Sequence, residues 1–182
     1  MNLQEILYKV NITKVVGVTN VEVSDISFDS RKIKDSSLFV AIQGTVSDGH
    51  DYIESTIESG VVAVIAEEIP KILNEKVTYV QVEDSNIALG IIAANFYSNP
   101  SEKIKLVGVT GTNGKTTIVS LLSQLFGMLN VKAGMISTIQ NKIIDTIIPS
   151  THTTPDALQL NFLLNKMINA GCEYCFMEVS SH

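Results

Sequence analysis

A chain of 182 residues, 45% hydrophobic and 18% charged, can form one large domain or two small ones of ordinary globular composition. Its formal net charge of −6, with no dense Lys/Arg cluster, argues against a nucleic-acid partner. The longest aliphatic run, VVAVIA at 61–66, is far short of the roughly 18 residues of a membrane span, so no membrane insertion is expected. The start MNLQEILYKV lacks a basic segment followed by an apolar core, so a cytoplasmic location is expected.

In chain order, residues 2–9 predict a short amphipathic helix with Leu3, Ile6, Leu7 and Val10 on one side. Strand-like runs follow: DISFDS, SLFVAI, VAVIA and VTYVQV. Between the second and third, DGHDYIESTIESG predicts a helix closed by Gly60. DSNIALGIIAANFYSNP predicts a helix opened by Asp84 or Ser85 and ended before Pro100. Interleaved strands and helices make residues 1–98 a small α/β module, and the polar YSNPSEK is the expected boundary.

The second module, 99–182, opens with the β-branched run KIKLVGVT. The run TTIVSLLSQLFGMLN predicts a helix whose apolar face is Ile118, Leu121, Leu122, Leu125 and Leu129. VKAGMIST and NKIIDTIIP predict further strands. TTPDALQLNFLLNKMINAG predicts a helix with a threonine cap, Pro155 at its first position and Gly171 after its end. Leu160, Leu163, Leu164, Met167 and Ile168 form its core face. EYCFMEVSS is the final strand, expected to lie at a sheet edge or without its covering elements, which makes this module the less stable one.

Cys172 and Cys175 form a C-x-x-C. Redox motifs of this kind sit where a strand enters a helix, and here the order is reversed. Zinc needs two more soft ligands and no other cysteine exists, so two small semi-buried residues are expected.

The stretch VGVTGTNGKTTIVS, 107–120, carries the chemistry. A strand-to-helix turn aims several backbone N–H groups into one space, where the helix dipole adds positive charge. Gly111 and Gly114 let the backbone approach an anion. Lys115 then neutralises β- and γ-phosphates, and Thr116 offers a hydroxyl to Mg²⁺. The strict G-x-x-x-x-G-K-[ST] pattern is broken, because Val109 stands at the first glycine position and Gly108 lies one place earlier. The competing reading is a plain turn with a solvated lysine. A Mg²⁺-nucleotide site also needs a carboxylate at the end of a neighbouring strand. Glu178 is the candidate, against a carboxylate that merely faces water. His50, His152 and His182 stand in polar or terminal contexts and are expected to be surface histidines.

GVTGTNGKTT, followed by STHTTPDALQL and MEVSSH, resembles the Mur ligase family over essentially the whole chain. SFDSRKIKDSSLFVAIQGTVSDGHDYI is similar to that family's uridine-diphosphate-binding domain. The resemblance implies an α/β architecture: an N-terminal UDP-muramoyl-binding domain over 1–98, then a central P-loop-type ATPase domain over 99–182. It implies that Ser30 contacts the UDP moiety with Phe28 beside it, and that Thr45, Val46 and Ser47 line the uridine site. It places ATP on Thr110, Gly111, Thr112, Asn113, Gly114, Lys115 and Thr116, and Mg²⁺ on Thr116 and Glu178. Thr153, Thr154 and Ser180 match substrate contacts, and His182 matches a motif histidine without an assigned role. Lys115 and Glu178 are the residues expected to act in catalysis.

The implied activity is ATP-dependent amide-bond formation in peptidoglycan synthesis. A UDP-N-acetylmuramoyl-dipeptide carboxylate becomes an acyl phosphate and is attacked by lysine or meso-diaminopimelate, in a monomeric enzyme. The family's second metal site and amino-acid-binding C-terminal domain have no match in these residues. The chain is therefore expected to be inactive alone, as part of a longer protein or a truncated product. The rivals are a folate- or cyanophycin-type ligase of the same superfamily and a non-catalytic nucleotide- or UDP-sugar-binding module. The motif around Ser30 argues against the first.

Overall fold

The computed structural model describes residues 1–150 and 153–180. It divides into two compact units, Met1–Phe96 and Tyr97–His182, both of mixed α/β construction. Among the described residues no helix is long and apolar enough to cross a membrane.

The first unit runs α1 (Leu3–Ile6), β1 (Ile12–Val16), β2 (Asp25–Ser27), β3 (Ser37–Val40), α2 (Ile53–Glu58), β4 (Val61–Ala66), β5 (Thr78–Val82) and α3 (Ser85–Phe96). Its sheet has the order β1-β5-β4-β3-β2; the last four strands are parallel and β1 is an antiparallel edge. A parallel strand covered on both faces tolerates no polar side, which is why VVAVIA is continuously apolar. Val64 and Ile65 are fully buried. Phe39, Val64 and Tyr79 pack with Ile53 of α2.

The four-residue α1 is too short to persist on propensity alone and is tied at both ends. Asn2 and Glu5 form a capping box. From α3, the buried Asn95 amide donates to the carbonyls of Ile6 (2.9 Å) and Tyr8 (2.6 Å), which the helix end would otherwise leave unpaired. The helix is shorter than the 2–9 read from periodicity, since Leu7 already caps it and Lys9 takes a left-handed φ of 62°. The segment 48–60 also starts later as an α-helix, because Asp48 caps a 3-10 turn, Gly49–Tyr52, before α2 begins. At α3, the Asp84 carboxylate accepts from the Ile87 N–H (2.9 Å) and opens the helix.

The second unit runs β6 (Lys105–Val109), α4 (Lys115–Met128), β7 (Ala133–Ile136), β8 (Gln140–Ile143), β9 (Thr146–Pro149), α5 (Ala157–Asn169) and β10 (Tyr174–Glu178). The sheet order is β6-β10-β7-β8-β9, with β6, β10 and β7 parallel and the rest antiparallel. Alternation along β10 sorts its side chains to two helices. Phe176 meets Val119 of α4, whereas Cys175 and Met177 join Leu163, Leu164 and Met167 of α5.

Several expectations are corrected here. β10 is not an edge strand; it lies between β6 and β7, and the edges are β6 and β9. The face of α4 that packs inward is Val119, Leu122 and Phe126. Of the expected face only Leu122 is inside, while Ile118 (46%), Leu121 (58%), Leu125 (50%) and Leu129 (62%) are exposed. This helix is apolar on most of its circumference, so spacing alone could not choose the inward side. NKIIDTIIP is two strands, β8 and β9, joined at Ile144–Asp145 with Ile144 at φ 54°. Pro155 precedes the cap of α5, and the cap is Asp156, whose carboxylate accepts from the Gln159 N–H (2.9 Å). Cys172 and Cys175 are both buried, and burial pushes the Cys175 thiol up to about 12, so this pair supplies no reactive thiolate.

Candidate functional site

In the second unit, β6 ends at Val109 directly beside Glu178 of β10, since the two are register partners. The chain between β6 and α4 therefore leaves the carboxyl edge of a parallel sheet next to that carboxylate. α/β sheets place ligands at this edge. Gly111 (φ 142°) and Gly114 (φ 83°) adopt backbone conformations that a side chain resists. A Cβ at Gly114 would meet nothing within 4 Å, so the space over the loop is open. Gly114 is the residue before Lys115, the first of α4, so the helix's unpaired N–H groups face that space. The Lys115 ammonium lies back across the loop and donates to the Gly111 carbonyl (2.6 Å).

A cavity of about 420 Å³ lies here. One wall is the loop from Thr112 to Thr116; the other is Thr138, Thr153, Glu178 and Ser180. Glu178 is 1% exposed. A carboxylate that deep must be hydrogen-bonded, and Thr138 supplies both donors. Its N–H reaches Oε1 at 3.1 Å and its hydroxyl reaches Oε2 at 3.0 Å. A hydroxyl has one proton, so the Thr153 hydroxyl, 3.1 Å away, donates to Thr138 Oγ1. The Thr154 hydroxyl donates to the Glu178 carbonyl (3.2 Å) and accepts from the Ser180 N–H (2.9 Å). Thr112 to Thr116, Thr153, Glu178 and Ser180 thus line one cavity, with Thr154 bonded behind it. Thr138 closes the run VKAGMIST and is not singled out there as a site residue, because a threonine at the end of a strand carries no local signal.

Among the described residues no group of three or more His, Cys, Asp or Glu could hold a metal ion by itself. Mg²⁺ keeps water and substrate phosphates in its shell and takes one or two protein oxygens. Thr116 and Glu178 offer such a pair across the cavity.

In the first unit, β2 and β3 are parallel neighbours, so the segments leaving them emerge side by side. Phe28 follows β2 and is 38% exposed. The Asp29 carboxylate then caps the turn Ser30–Lys32, accepting from the Arg31 N–H (3.1 Å) and from its guanidinium (2.8 and 3.0 Å). The Arg31 side-chain bond holds that carboxyl well down, from 3.8 to about 2. After β3 the chain forms a small hairpin: Gln43 bridges Asp48, and the Gly44 N–H donates to the Ser47 carbonyl (3.0 Å). Thr45, Val46 and Ser47 are its tip, with Val46 97% exposed. A Cβ on Gly49 would come within 2.6 Å of the Ile42 nitrogen, so only glycine closes the hairpin base this tightly.

His50 is not the free surface histidine expected from its polar context. Its side chain is 18% exposed and both ring nitrogens are bonded. Asp48 accepts from the His50 N–H (2.9 Å) and from Nδ1 (2.6 Å), and these bonds hold the Asp48 carboxyl below its usual value. His152 and His182 lie outside the described residues.

The Mur ligase family catalytic domain matches residues 22–97, and the Mur ligase middle domain matches 109–182. Two UDP-N-acetylmuramoyl-L-alanyl-D-glutamate–2,6-diaminopimelate ligases are close in sequence. That of Cytophaga hutchinsonii is 53% identical and that of Bacteroides fragilis 50%, each over the whole of this chain and 38% of its own length. The chain thus spans well under half the length of the curated relatives it matches. Among solved structures, a ligase of the same name superposes with TM-score 0.76 at 24% identity, over all of this chain and 36% of that one. The Thermotoga maritima MurF ligase in complex with ADP gives 0.60 at 22% identity, over 87% of this chain and 32% of that one. With both units matched in order by models of one family, and relatives of half-identical sequence along its full length, this chain belongs to the Mur ligase family.

Proposed function

We propose that the protein joins a diamino acid to UDP-N-acetylmuramoyl-L-alanyl-D-glutamate at the expense of ATP, and that the residues described here hold the ATP and the muramoyl-dipeptide. The relatives' names favour 2,6-diaminopimelate over lysine as the acceptor. The observation that carries the reading is the single cavity in which the glycine loop at the start of α4 faces the buried Glu178.

A free carboxylate is a poor electrophile. Transfer of the γ-phosphoryl group gives an acyl phosphate, which the amine attacks at carbon with loss of inorganic phosphate. The first step brings two anions together, so fixed positive charge must lie between them. The loop N–H groups and the Lys115 ammonium supply it locally, which matters in a chain of net charge −6. Lys115 would exchange its bond to the Gly111 carbonyl for phosphate oxygens. Glu178 and Thr116 would hold Mg²⁺, which would supply positive charge where negative charge develops on the phosphates. Thr153 and Ser180, on the wall opposite the loop, with Thr154 bonded to the Ser180 N–H behind them, would present the substrate carboxylate to the γ-phosphate. At the other end of the substrate, Phe28, Ser30 and the Thr45–Ser47 tip would take the uridine diphosphate.

Lys115→Ala in the full-length protein tests this. Amide formation and ATP affinity are measured together with thermal stability. Turnover is expected to fall on the order of a hundredfold or more. The melting temperature should stay within about 2 °C, because the side chain lines the open cavity and belongs to neither apolar core cluster of this unit. Near wild-type turnover would overturn the assignment.

A further inference from the structure

We propose that His50 is the positioning residue for the Thr45–Ser47 tip: a neutral imidazole that latches the hairpin after β3 to the end of β4 and so fixes where the tip meets the uridine end of the substrate. This rests on the reading that the tip binds uridine diphosphate.

The hairpin is bonded within itself. Gln43 bridges Asp48, the Gly44 N–H donates to Ser47, and the Gly49 N–H donates to the Ile42 carbonyl (2.9 Å). Those bonds set its shape and leave its tilt over the sheet edge free. The His50 ring supplies the missing constraint. Nδ1 is 2.6 Å from Asp48 Oδ1 inside the hairpin, while Nε2 is 3.0 Å from the Glu67 N–H beyond the end of β4. A backbone N–H can only donate, so Nε2 must be bare and Nδ1 must carry the proton. The two bonds together select one tautomer and one ring orientation.

The post to which the latch is tied is itself rigid. The Glu67 carbonyl accepts from Gln81 Nε2 (2.9 Å) on β5, and its carboxylate accepts from the Ser85 N–H (2.9 Å) that opens α3. β4, β5 and α3 therefore converge on Glu67, and one imidazole passes their position to the loop. A tip as exposed as Val46, at 97%, has no packing of its own to hold it. Binding through it costs ordering entropy unless something outside it fixes its place. Among the described bonds, His50 to Glu67 is the side-chain tie from this hairpin to the neighbouring strand.

Three variants of the full-length protein test this: His50→Ala, His50→Gln and the double Thr45→Ala/Ser47→Ala. The dissociation constants of UDP-N-acetylmuramoyl-dipeptide and of ATP are measured separately by calorimetry. His50→Ala should weaken the uridine ligand by about tenfold, the worth of one good hydrogen bond lost, and leave ATP within about twofold. His50→Gln should recover most of the loss, because its side-chain carbonyl can accept from the Glu67 N–H as Nε2 does. A non-specific structural role predicts neither the rescue nor the separation of the two ligands. Wild-type affinity in His50→Ala, with the double variant weakened, overturns the latch alone. Equal loss in His50→Ala and His50→Gln, or equal loss for both ligands, also overturns it. Unchanged uridine affinity in the double variant overturns the latch and the reading beneath it together.

Discussion

The two units put candidate residues at the same place, the carboxyl edge of a parallel sheet, and build them in opposite ways. In the second unit the groups are backbone N–H at a helix start and a carboxylate buried to 1% exposure. In the first they are side chains at a loop tip, with Val46 97% exposed, held from behind by His50. A phosphate chain needs dense, fixed dipoles, which a strand–loop–helix junction supplies without side-chain ordering. A nucleoside diphosphate end offers a larger, more varied surface, and a loop can be shaped to it at the cost of needing an external tie. The units differ in their covers as well. α3 buries Ala88, Leu89, Ile92 and Ala93, whereas α4 leaves Ile118, Leu121, Leu125, Met128 and Leu129 exposed beside an edge strand whose Leu106 and Val107 are each 37% exposed.

The contrast between a buried carboxylate and an exposed loop is broken most directly at Glu178. Glu178→Gln keeps the shape and an acceptor for the Thr138 N–H but removes the charge. The Mg²⁺ concentration for half-maximal ATP turnover should rise on the order of tenfold or more. An unchanged Mg²⁺ dependence would show that Glu178 is only a structural acceptor for Thr138.

The contrast between covered and uncovered helix faces is sharpened by two alanine variants. Met167 is fully buried on α5, and Met167→Ala should cost about 2–5 kcal/mol by urea unfolding of the second unit. Leu121→Ala removes similar apolar bulk from the exposed face of α4 and should change stability by about 0.5 kcal/mol or less. Comparable losses at both sites would mean that the α4 face is covered in solution.

The smallest effect concerns the turn at Ser30. Asp29 has its folded value lowered to about 2, chiefly by the Arg31 side chain, below the unfolded 3.8. Its stabilising contribution is therefore present above about pH 4 and is lost as pH falls through about 2. The difference in melting temperature between Asp29→Asn and wild type should be small, since the pair is solvent-screened, and should close over that window. A difference that persists at pH 2 would place the effect elsewhere than in the charge.

How much of this was legible in the sequence follows from how local each signal is. Gly111, Gly114 and Lys115 sit within five residues, and the turn they announce is where the structure has it. VAVIA as a strand and Gly171 just after the end of α5 were equally local. β1 was missed because ITKVV is a half-exposed antiparallel edge whose burial is set by its partner β5, 60 and more residues away. The β8–β9 turn was missed because Ile144 takes the left-handed position where glycine or asparagine is usual. The inward face of α4 was misassigned because its apolar residues surround the helix. Thr138 and His50 gain their roles from partners 40 and 17 residues away, Glu178 and Glu67.

The placement of β10 has a consequence for assembly. It is the last of the five strands in sequence yet lies between β6 and β7, and its partners in β6 lie about 70 residues earlier. Until it inserts, β6 with α4 and the β7–β8–β9 meander are two half-sheets with open edges. Closing them carries the entropy of a long loop and belongs late in folding. Glu178 ends the inserting strand, so the cavity acquires its carboxylate only as the sheet becomes continuous. During synthesis the glycine loop emerges well before its opposite wall, and nucleotide added to the nascent chain should find a full site only after β10 has left the ribosome.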